Sequence, residues 1–455
     1  MSHTIVAIST PAAPAGLGVV RLSGADAIPI AERVFRPMDS ARALHALPGY
    51  TAAYGRVADA SGNIDDCVAL VFRAPHSYTG EDVVELSCHG GLFLLQQVLR
   101  ACLDAGAKPA APGEFTRRAF VNGKLDLTQA ESVMDLIAAN GRLAARTALA
   151  AREGNTARRL HEVKERLLAV AAQFSAYIDY PDEDIPELRP TALADTIAGA
   201  RETMESLLST FEAGRVLREG IDAAIVGSPN VGKSTLMNRL AGCERSIVTD
   251  VAGTTRDIVE ETVRLGDVLL RLSDTAGIRA TDDRVETVGV EKARRRLQDA
   301  ALVLAVFDGT RPLDDNDREI ARQAAASACI AIINKADQPQ RIDRSWVEQQ
   351  FHYVVPLSAK DGRGTDALTA AVAKLTGVEA LHAAEPVLAT ERQRLCAQEC
   401  LAYLQEAAAA LDSGLTLDAV SVSLHAAIDA ILSLTVERTT EAIVEQVFSR
   451  FCVGK

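Results

Sequence analysis

The sequence predicts a multidomain protein of mixed class, α/β plus α, on three observations. Its first 120 or so residues alternate Val- and Ile-rich strand-like runs with helix-like runs. Long Ala-rich stretches with apolar residues at three/four spacing lie on both sides of the middle. The middle itself holds short apolar runs that each end in a polar, Gly- or Asn-bearing loop. At 455 residues the chain has room for two to four domains.

The N-terminal part reads as α+β. Thr4 to Ser9, Gly18 to Leu22, Val68 to Phe72 and Val83 to Cys88 are strand-like. Ala27 to Phe35 and Leu92 to Ala105 are helix-like, and Gly106 stops the second. From 122 to 217 the pattern is helical. Thr128-Gln-Ala-Glu131 reads as a capping box ahead of Val133, Met134, Leu136 and Ile137, and Leu143, Leu149, Leu160, Leu167 and Phe174 continue the apolar spacing. Tyr180-Pro-Asp-Glu-Asp-Ile-Pro186 breaks it, as an interhelix loop would.

The segment 218–378 carries the chemistry. Gly227-Ser-Pro-Asn-Val-Gly-Lys-Ser234, followed by Thr235, matches the phosphate-loop pattern G-x-x-x-x-G-K-[ST]. It follows the apolar run Ile221 to Val226 and precedes a helix-like run, the context in which backbone N–H groups cradle phosphates. Asn230, Val231 and Gly232 shape the loop, Lys233 would reach the outer phosphates, and Ser234 would ligate Mg²⁺. The base is selected by Asn334-Lys335-Ala336-Asp337. The Asp337 carboxylate can accept two hydrogen bonds from guanine, and adenine presents the opposite pattern on that edge. Ser358-Ala359-Lys360 follows another apolar run and matches the loop that backs the guanine. Asp274-Thr275-Ala276-Gly277 ends the strand Leu269 to Leu272; Asp274 would hold Mg²⁺ through water and Gly277 would meet the γ-phosphate. Between these motifs lies the switch-like run Thr249-Asp250-Val251-Ala252-Gly253-Thr254-Thr255, whose Thr255 would complete the Mg²⁺ shell. Five motifs in this order predict a Ras-like P-loop GTPase domain.

Ras-like proteins orient the attacking water with a Gln after D-x-x-G, but here that position is Ile278. Another group must position water and neutralise charge. Asn230 has a side-chain carbonyl suited to a monovalent cation, or it merely stabilises its loop. Glu286 can orient water, or it is a solvated surface charge.

Beyond Pro386, helical patterns return over 388–411, 418–434 and 440–451. Helical segments therefore flank the GTPase segment on both sides, and one discontinuous helical bundle with the GTPase inserted in it is the economical reading. The expected domains are 1–121, 122–217, 218–378 and 379–455.

Composition narrows the class. The longest uncharged apolar run, Ala301 to Phe307, is too short to span a bilayer, and Met1 to Thr10 resembles neither a signal nor a transit peptide. A cytoplasmic protein is expected. The eight cysteines are scattered with no C-x-x-C pair, as reduced thiols are. A net charge of −13 argues against broad nonspecific nucleic-acid binding. Residues 117–166 depart from this with ten Lys/Arg against six Asp/Glu. Arg142, Arg146, Arg152, Arg158, Arg159, Lys164 and Arg166 make either a solvated helix face or an RNA-contact surface.

The whole chain resembles the MnmE (TrmE) family of tRNA-modification GTPases. The resemblance rests on Gly18-Val-Val-Arg-Leu-Ser-Gly24, Tyr78-Thr-Gly-Glu-Asp-Val-Val-Glu-Leu86, His89-Gly-Gly91, Pro112-Gly-Glu-Phe-Thr-Arg-Arg-Ala-Phe120, Asn122-Gly-Lys-Leu-Asp-Leu127 and the C-terminal Phe451-Cys-Val-Gly-Lys455. It implies an N-terminal domain of tetrahydrofolate-binding type that also forms the homodimer. Arg21, Glu85, Lys124 and Lys455 match the residues that contact the folate (a 5,10-methylene- or 5-formyl-tetrahydrofolate), and Cys452 matches a cysteine held near it. It implies a K⁺ held by Asn230, Thr249, Val251 and Thr254, and a Glu286 that orients water. Lys233, Asn230, Glu286 and Cys452 are then the catalytic candidates. The resemblance further implies an FAD-dependent MnmG (GidA)-type partner in a heterotetramer or larger assembly. The product would be an aminomethyl-type group on carbon 5 of the wobble uridine of certain tRNAs, and hydrolysis would follow G-domain dimerisation. The competing reading is a ribosome-assembly or RNA-binding switch GTPase. It would need an RNA-binding module such as a KH domain, and none is visible after residue 378.

Overall fold

The computed structural model describes residues 3–179, 190–243, 261–272, 300–414, 416–435, 441–449 and 451–454. The chain divides into two compact units, one of residues 1–134 with 432–455 and one of residues 135–431.

The first unit is built on a seven-stranded sheet in the order β3-β4-β5-β6-β2-β1-β7, with β1 Ile5–Ile8, β2 Ala15–Ser23, β3 Phe35–Pro37, β4 Thr51–Asp59, β5 Gly62–Phe72, β6 Val83–Gly90 and β7 Lys108–Pro109. All neighbours are antiparallel except β1 and β7. Helices α1 (Ala27–Val34) and α2 (Leu92–Asp104) bury Ile28, Ala31 and Val34, and Leu95, Val98 and Cys102, in a core with Val20, Leu22, Val71, Val84 and Leu86. The sequence reading missed β4, whose polar and small residues (Thr51, Tyr54, Arg56) alternate too weakly to signal a strand. It also started β2 and β5 several residues late, because both begin in glycine-bearing, solvent-exposed stretches.

Helix α3 (Glu114–Val121) leads to α4 (Leu127–Ala138). The capping box expected at Thr128–Glu131 lies two residues earlier. Asp126 N–H donates to Gln129 Oε1 and Gln129 N–H to Asp126 Oδ1, each at 2.9 Å. Thr128 and Glu131 are buried in the helix itself. An aspartate is at least as good an N-cap as threonine, so the sequence allows either pattern, and the burial of Thr128 and Glu131 within the helix selects D-x-x-Q. Leu127, Ala130 and Val133 of α4 pack with Val444, Phe448 and Phe451, so the last helix, Glu441–Phe448, joins this unit.

The second unit contains a six-stranded sheet in the order β13-β12-β11-β8-β10-β9: β8 Ile221–Val226, β9 Glu261–Leu265, β10 Val268–Leu272, β11 Leu302–Asp308, β12 Cys329–Asn334 and β13 Tyr353–Pro356. Only β9 is antiparallel to its neighbour. Every residue of β11 and β12 is buried, as a parallel sheet covered on both faces requires. The strand order reverses around β8, the topological switch point where open α/β sheets bind ligands.

Helices α5 (Arg142–Arg152), α6 (Asn155–Asp179), α7 (Pro190–Ser209) and α8 (Phe211–Glu219) precede this sheet, α9 (Lys233–Cys243), α10 (Asp315–Ala324) and α11 (Arg344–Gln350) lie within its connections, and α12 (Thr365–Leu375) follows its last strand. Two helices follow, α13 (Glu391–Asp412) and α14 (Leu417–Thr435). α7 packs against α13 although about 180 residues separate them in sequence. Nearby, Gly214 meets the Leu388 carbonyl so closely that a Cβ would lie 2.3 Å from it. Among the described residues α14 alone is long and apolar enough to cross a membrane by length and composition. It also carries Asp418 and Asp429, and its Val420, Leu424, Ala427, Ile431 and Leu434 are buried.

Candidate nucleotide site and C-terminal tail site

The phosphate loop links β8 to α9. Its shape depends on backbone that glycine adopts readily: Gly227 has φ +154° and Gly232 φ +100°. Asn230 stands between them at φ +62°, a left-handed conformation that Asn tolerates best among residues with a Cβ. Close packing forbids larger residues. A Cβ at Gly227 would lie 2.4 Å from the Val306 carbonyl, and one at Gly232 2.2 Å from the Asn334 amide nitrogen. The α9 hydrogen-bond ladder opens with Leu236 N–H to Gly232 carbonyl, so the N–H groups at the helix start face the loop, as anion binding requires. Lys233 Nζ donates to the Gly227 and Ser228 carbonyls at 2.8 Å each, which keeps the ammonium over the cradle. The side chains of Ser234 and Thr235 are exposed.

Asn334, at the end of β12, ties three loops together. Its Nδ2 donates to the Val231 carbonyl at 2.8 Å, and its Oδ1 accepts the Ala359 N–H at 3.0 Å. The Asn334-Lys335-Ala336-Asp337 and Ser358-Ala359-Lys360 loops are thereby fixed beside the phosphate loop, with Asp337 half-buried in a turn closed by Gln338 N–H to Lys335 carbonyl. Lys335 is itself in the left-handed region at φ +62° and pairs with Asp308 at the end of β11. Burial alone would raise the Asp308 carboxyl; hydrogen bonds from Lys335 and Thr310 outweigh it and hold the group below its usual range.

Three supporting residues escaped the sequence reading. Ser228 is buried and its hydroxyl donates to Asp317, which is itself buried, paired with Arg311 at 2.9 Å, and half of the α10 capping box with Asp314. Arg239 of α9 donates to the Ala359 and Lys360 carbonyls. Asp308 holds Lys335. None has a signature in the local sequence, because each pairs across a distance of at least 27 residues.

Thr249, Asp250, Val251, Ala252, Gly253, Thr254, Thr255, Asp274, Thr275, Ala276, Gly277, Glu286 and Lys455 lie outside the described residues, as does the loop Tyr180 to Pro186. The candidates Asn230 and Ser234 are thus placed without the rest of their sets. The phosphate and base contacts expected of the described residues fit the chemistry present: a glycine-bearing loop leading into a helix N-terminus, one ammonium, a hydroxyl at the helix start and an Asp beyond β12. Among the described residues there is no His/Cys/Asp/Glu cluster that could hold a metal ion by itself.

A second cluster forms in the first unit. Arg21 on β2 lies directly across the ladder from Glu85 on β6, and the two pair at 2.8 Å. The Arg21 guanidinium stacks 5.6 Å from the Phe115 ring centroid and donates to the Gly454 carbonyl at 3.4 Å. Ser9 Oγ donates to the same carbonyl at 3.1 Å, and Gly113 N–H reaches the Cys452 carbonyl at 3.4 Å. Gly454 is required there: its φ is +98° and a Cβ would lie 2.4 Å from the Ile8 carbonyl. The tail thus brings the exposed Cys452 into the neighbourhood of Arg21 and Glu85. Lys124 takes another place, its Nζ donating to the Pro75 carbonyl at 3.2 Å. A buried arginine the sequence did not single out, Arg118, binds Glu81 at 3.0 Å and Glu114 at 2.9 Å and fixes the loop before β6. Four other thiols differ in kind from Cys452. A hydrogen bond with Cys88 and burial push Cys67 up, and burial raises Cys102, Cys329 and Cys400 to about 12.

Two family descriptions match the sequence, the MnmE helical domain over residues 127–452 and the GTP-binding protein TrmE N-terminus over residues 4–124. A tRNA modification GTPase MnmE from Symbiobacterium thermophilum is 44% identical, covering 100% of this chain and 99% of that protein. The proteins of the same name from Geobacillus thermodenitrificans and Acetivibrio thermocellus are 40% and 36% identical, each covering 99% of both chains.

Proposed function

This chain belongs to the MnmE family of tRNA modification GTPases, and from that premise we propose that it is a K⁺-dependent GTPase acting on the wobble uridine of certain tRNAs. The observation that carries the GTPase half is the Asn334 clasp, which joins the phosphate loop to the two loops that would hold guanine. Lys233 and the loop N–H groups bind the phosphates, and Asp337 selects guanine over adenine. Ser234 and Thr255 would hold Mg²⁺. Asn230, in the left-handed region at φ +62°, would contribute its side-chain carbonyl to a K⁺ together with Thr249, Val251 and Thr254. When bound, the cation would supply the positive charge that an arginine finger supplies elsewhere. Glu286 orients water in place of the missing Gln at Ile278. Hydrolysis then depends on pairing of two G domains in the homodimer.

The modification half rests on the first unit. Arg21, Glu85, Lys124 and Lys455 bind a tetrahydrofolate derivative, the carboxylate facing the pterin amide edge and the cations facing the glutamate tail. Cys452 stands beside it. An FAD-dependent MnmG-type partner completes the reaction, which adds an aminomethyl or carboxymethylaminomethyl group to carbon 5 of the uridine in the cytoplasm. The domains run 1–121, 122–217, 218–378 and 379–455, with the helical body interrupted by the GTPase domain. The packing of α7 on α13 supports that arrangement.

Nucleoside mass spectrometry of tRNA tests this directly. A strain lacking the chain loses a five-substituted wobble uridine, and the wild-type gene restores it while Lys233→Ala and Cys452→Ser do not. Unchanged nucleosides in the deletion strain would sink the modification reading and favour a ribosome-assembly switch.

A further inference from the structure

The phosphate loop is held from one side by a chain of side chains that the nucleotide chemistry does not itself require. Lys233 Nζ donates to the carbonyls of Gly227 and Ser228 at 2.8 Å each. Those carbonyls belong to the two peptide units that meet at the Ser228 Cα, so whatever fixes Ser228 fixes both. Pro229 follows and disfavours helical backbone at Ser228. The Ser228 side chain is buried and uses both of its hydrogen-bonding roles. Its hydroxyl donates to Asp317 Oδ1 and accepts from Asn316 Nδ2 at 3.0 Å.

Asp317 does more than cap its helix. Its Oδ2 accepts the Asp314 N–H at 3.2 Å, which is the capping role. The same carboxylate takes Arg311 in a two-pronged pair, Nη1 to Oδ2 at 2.9 Å and Nη2 to Oδ1 at 3.2 Å, beside the bond from Ser228. Capping does not call for a charge that is only 2% exposed. The capping boxes of α4 and α13 put the neutral Gln129 and Gln393 at the corresponding place. A buried carboxylate is costly unless it is paired, and Arg311 answers its charge. Arg311 is held in turn by Asp314 Oδ2 at 2.7 Å. The start of α10 is thus a fixed anchor whose free end is the bond to Ser228.

Resting on the reading of Lys233 as the group that meets the outer phosphates, we propose that Asp317, clamped by Arg311, is a positioning residue for GTP hydrolysis. Acting through the Ser228 hydroxyl, it sets the two carbonyls that keep the Lys233 ammonium over the cradle. An anchor on a helix start gives the loop one resting place, so the ammonium meets the phosphates without reorganising. Charge spreads over the outer phosphate oxygens as the phosphoryl group transfers. A misplaced ammonium therefore costs more in the transition state than in the bound ground state, and the loss falls on kcat.

Steady-state GTP hydrolysis by the full-length protein, with urea unfolding of each variant, tests this. Ser228→Ala and the isosteric Asp317→Asn should each lower kcat about tenfold, with KM for GTP changed by less than about threefold because the guanine side of the site is untouched. The double variant should be no slower than the slower single, since both cut one path. Asp314→Ala removes the cap of α10 and leaves the Ser228 link, so it should lower the urea midpoint and keep kcat within about twofold of wild type. A wild-type kcat in Ser228→Ala, losses that multiply in the double variant, or a kcat loss in Asp314→Ala equal to that in Ser228→Ala overturns the proposal. Lys233→Ala is the reference. Turnover lost there but not in Ser228→Ala overturns the positioning role alone, whereas wild-type turnover in Lys233→Ala removes the reading of Lys233 on which that role rests.

Discussion

The phosphate loop takes its shape from eight consecutive residues, whereas the cluster around Arg21 gathers groups from Ser9 to Gly454. In the loop the backbone is the functional material. Positive φ angles at Gly227, Asn230 and Gly232 shape it, and the Asn334 side chain at the end of β12 locks it from behind. In the Arg21 cluster the backbone only delivers. Cross-strand register places Glu85 against Arg21, and a tail more than 400 residues away lays a carbonyl on the guanidinium. The first design tolerates almost no change in shape. The second is a set of separate contacts, each of modest worth, that can be removed one at a time.

The largest effect should come from the loop. Gly232→Val forces a side chain into a site where even a Cβ meets the Asn334 amide at 2.2 Å, at a φ of +100° that valine does not adopt. GTP turnover should fall by at least about a hundredfold, since charge stabilisation of this type is commonly worth that much. Near-normal turnover would show that the loop deforms as readily as the tail cluster, and the contrast would collapse.

Asn334→Ala probes the clasp behind the loop. It leaves the Val231 carbonyl and the Ala359 N–H without their partner in a buried place, at about 2–4 kcal/mol for two such groups. Urea unfolding of the nucleotide-free protein should show that loss, and GTP affinity should fall with it. A stability change under about 0.5 kcal/mol would mean water replaces the amide.

How legible each region is follows from the same difference. The phosphate loop, the Asn334–Asp337 run and the Ser358–Lys360 run could be read in sequence because each is contiguous and its residue types are dictated by local backbone and ligand chemistry. Ser228, Asp308 and Asp317 could not, since their pairing depends on which strands lie side by side. Arg21, Glu85 and Cys452 were reached only through resemblance; on their own they are ordinary charges and a thiol. The same reasoning explains the fold. The apolar runs of β8 and β10 announced themselves, but β4 and the exposed start of β5 did not. The capping box at Asp126 was missed by two residues because two overlapping patterns fit and only packing chose between them.

Arg21→Ala tests the gathered cluster. It unpairs the partly buried Glu85, removes the stacking on Phe115 and one of two donors to the Gly454 carbonyl. A loss of about 1–2 kcal/mol is expected, smaller than for Asn334 because both charges remain partly solvated. The tail should loosen as well, with faster alkylation of Cys452 and no new reaction at Cys102 or Cys400, whose burial keeps them protonated. Unchanged Cys452 reactivity would mean that Ser9 and Gly113 hold the tail unaided.

The smallest effect isolates a single long-range bond. Asp267, in the turn between β9 and β10, caps Leu143 N–H of α5 across 124 residues of sequence. It combines the two designs: a local capping chemistry delivered by distant packing. An N-cap aspartate is typically worth about 1 kcal/mol, and Asp267→Ala should lower stability by that amount. Asp267→Asn keeps the accepting oxygen and should retain most of it, whereas a purely charge-based role would make Asn as harmful as Ala. The residue also sits at the turn whose strands run directly into the two switch-like segments. If the capping bond serves only stability, GTP turnover of the Ala variant should match wild type once both are measured well below their melting temperatures. A turnover change that persists there would place α5 in communication with the nucleotide site, through one bond of the kind that the Arg21 cluster uses several of.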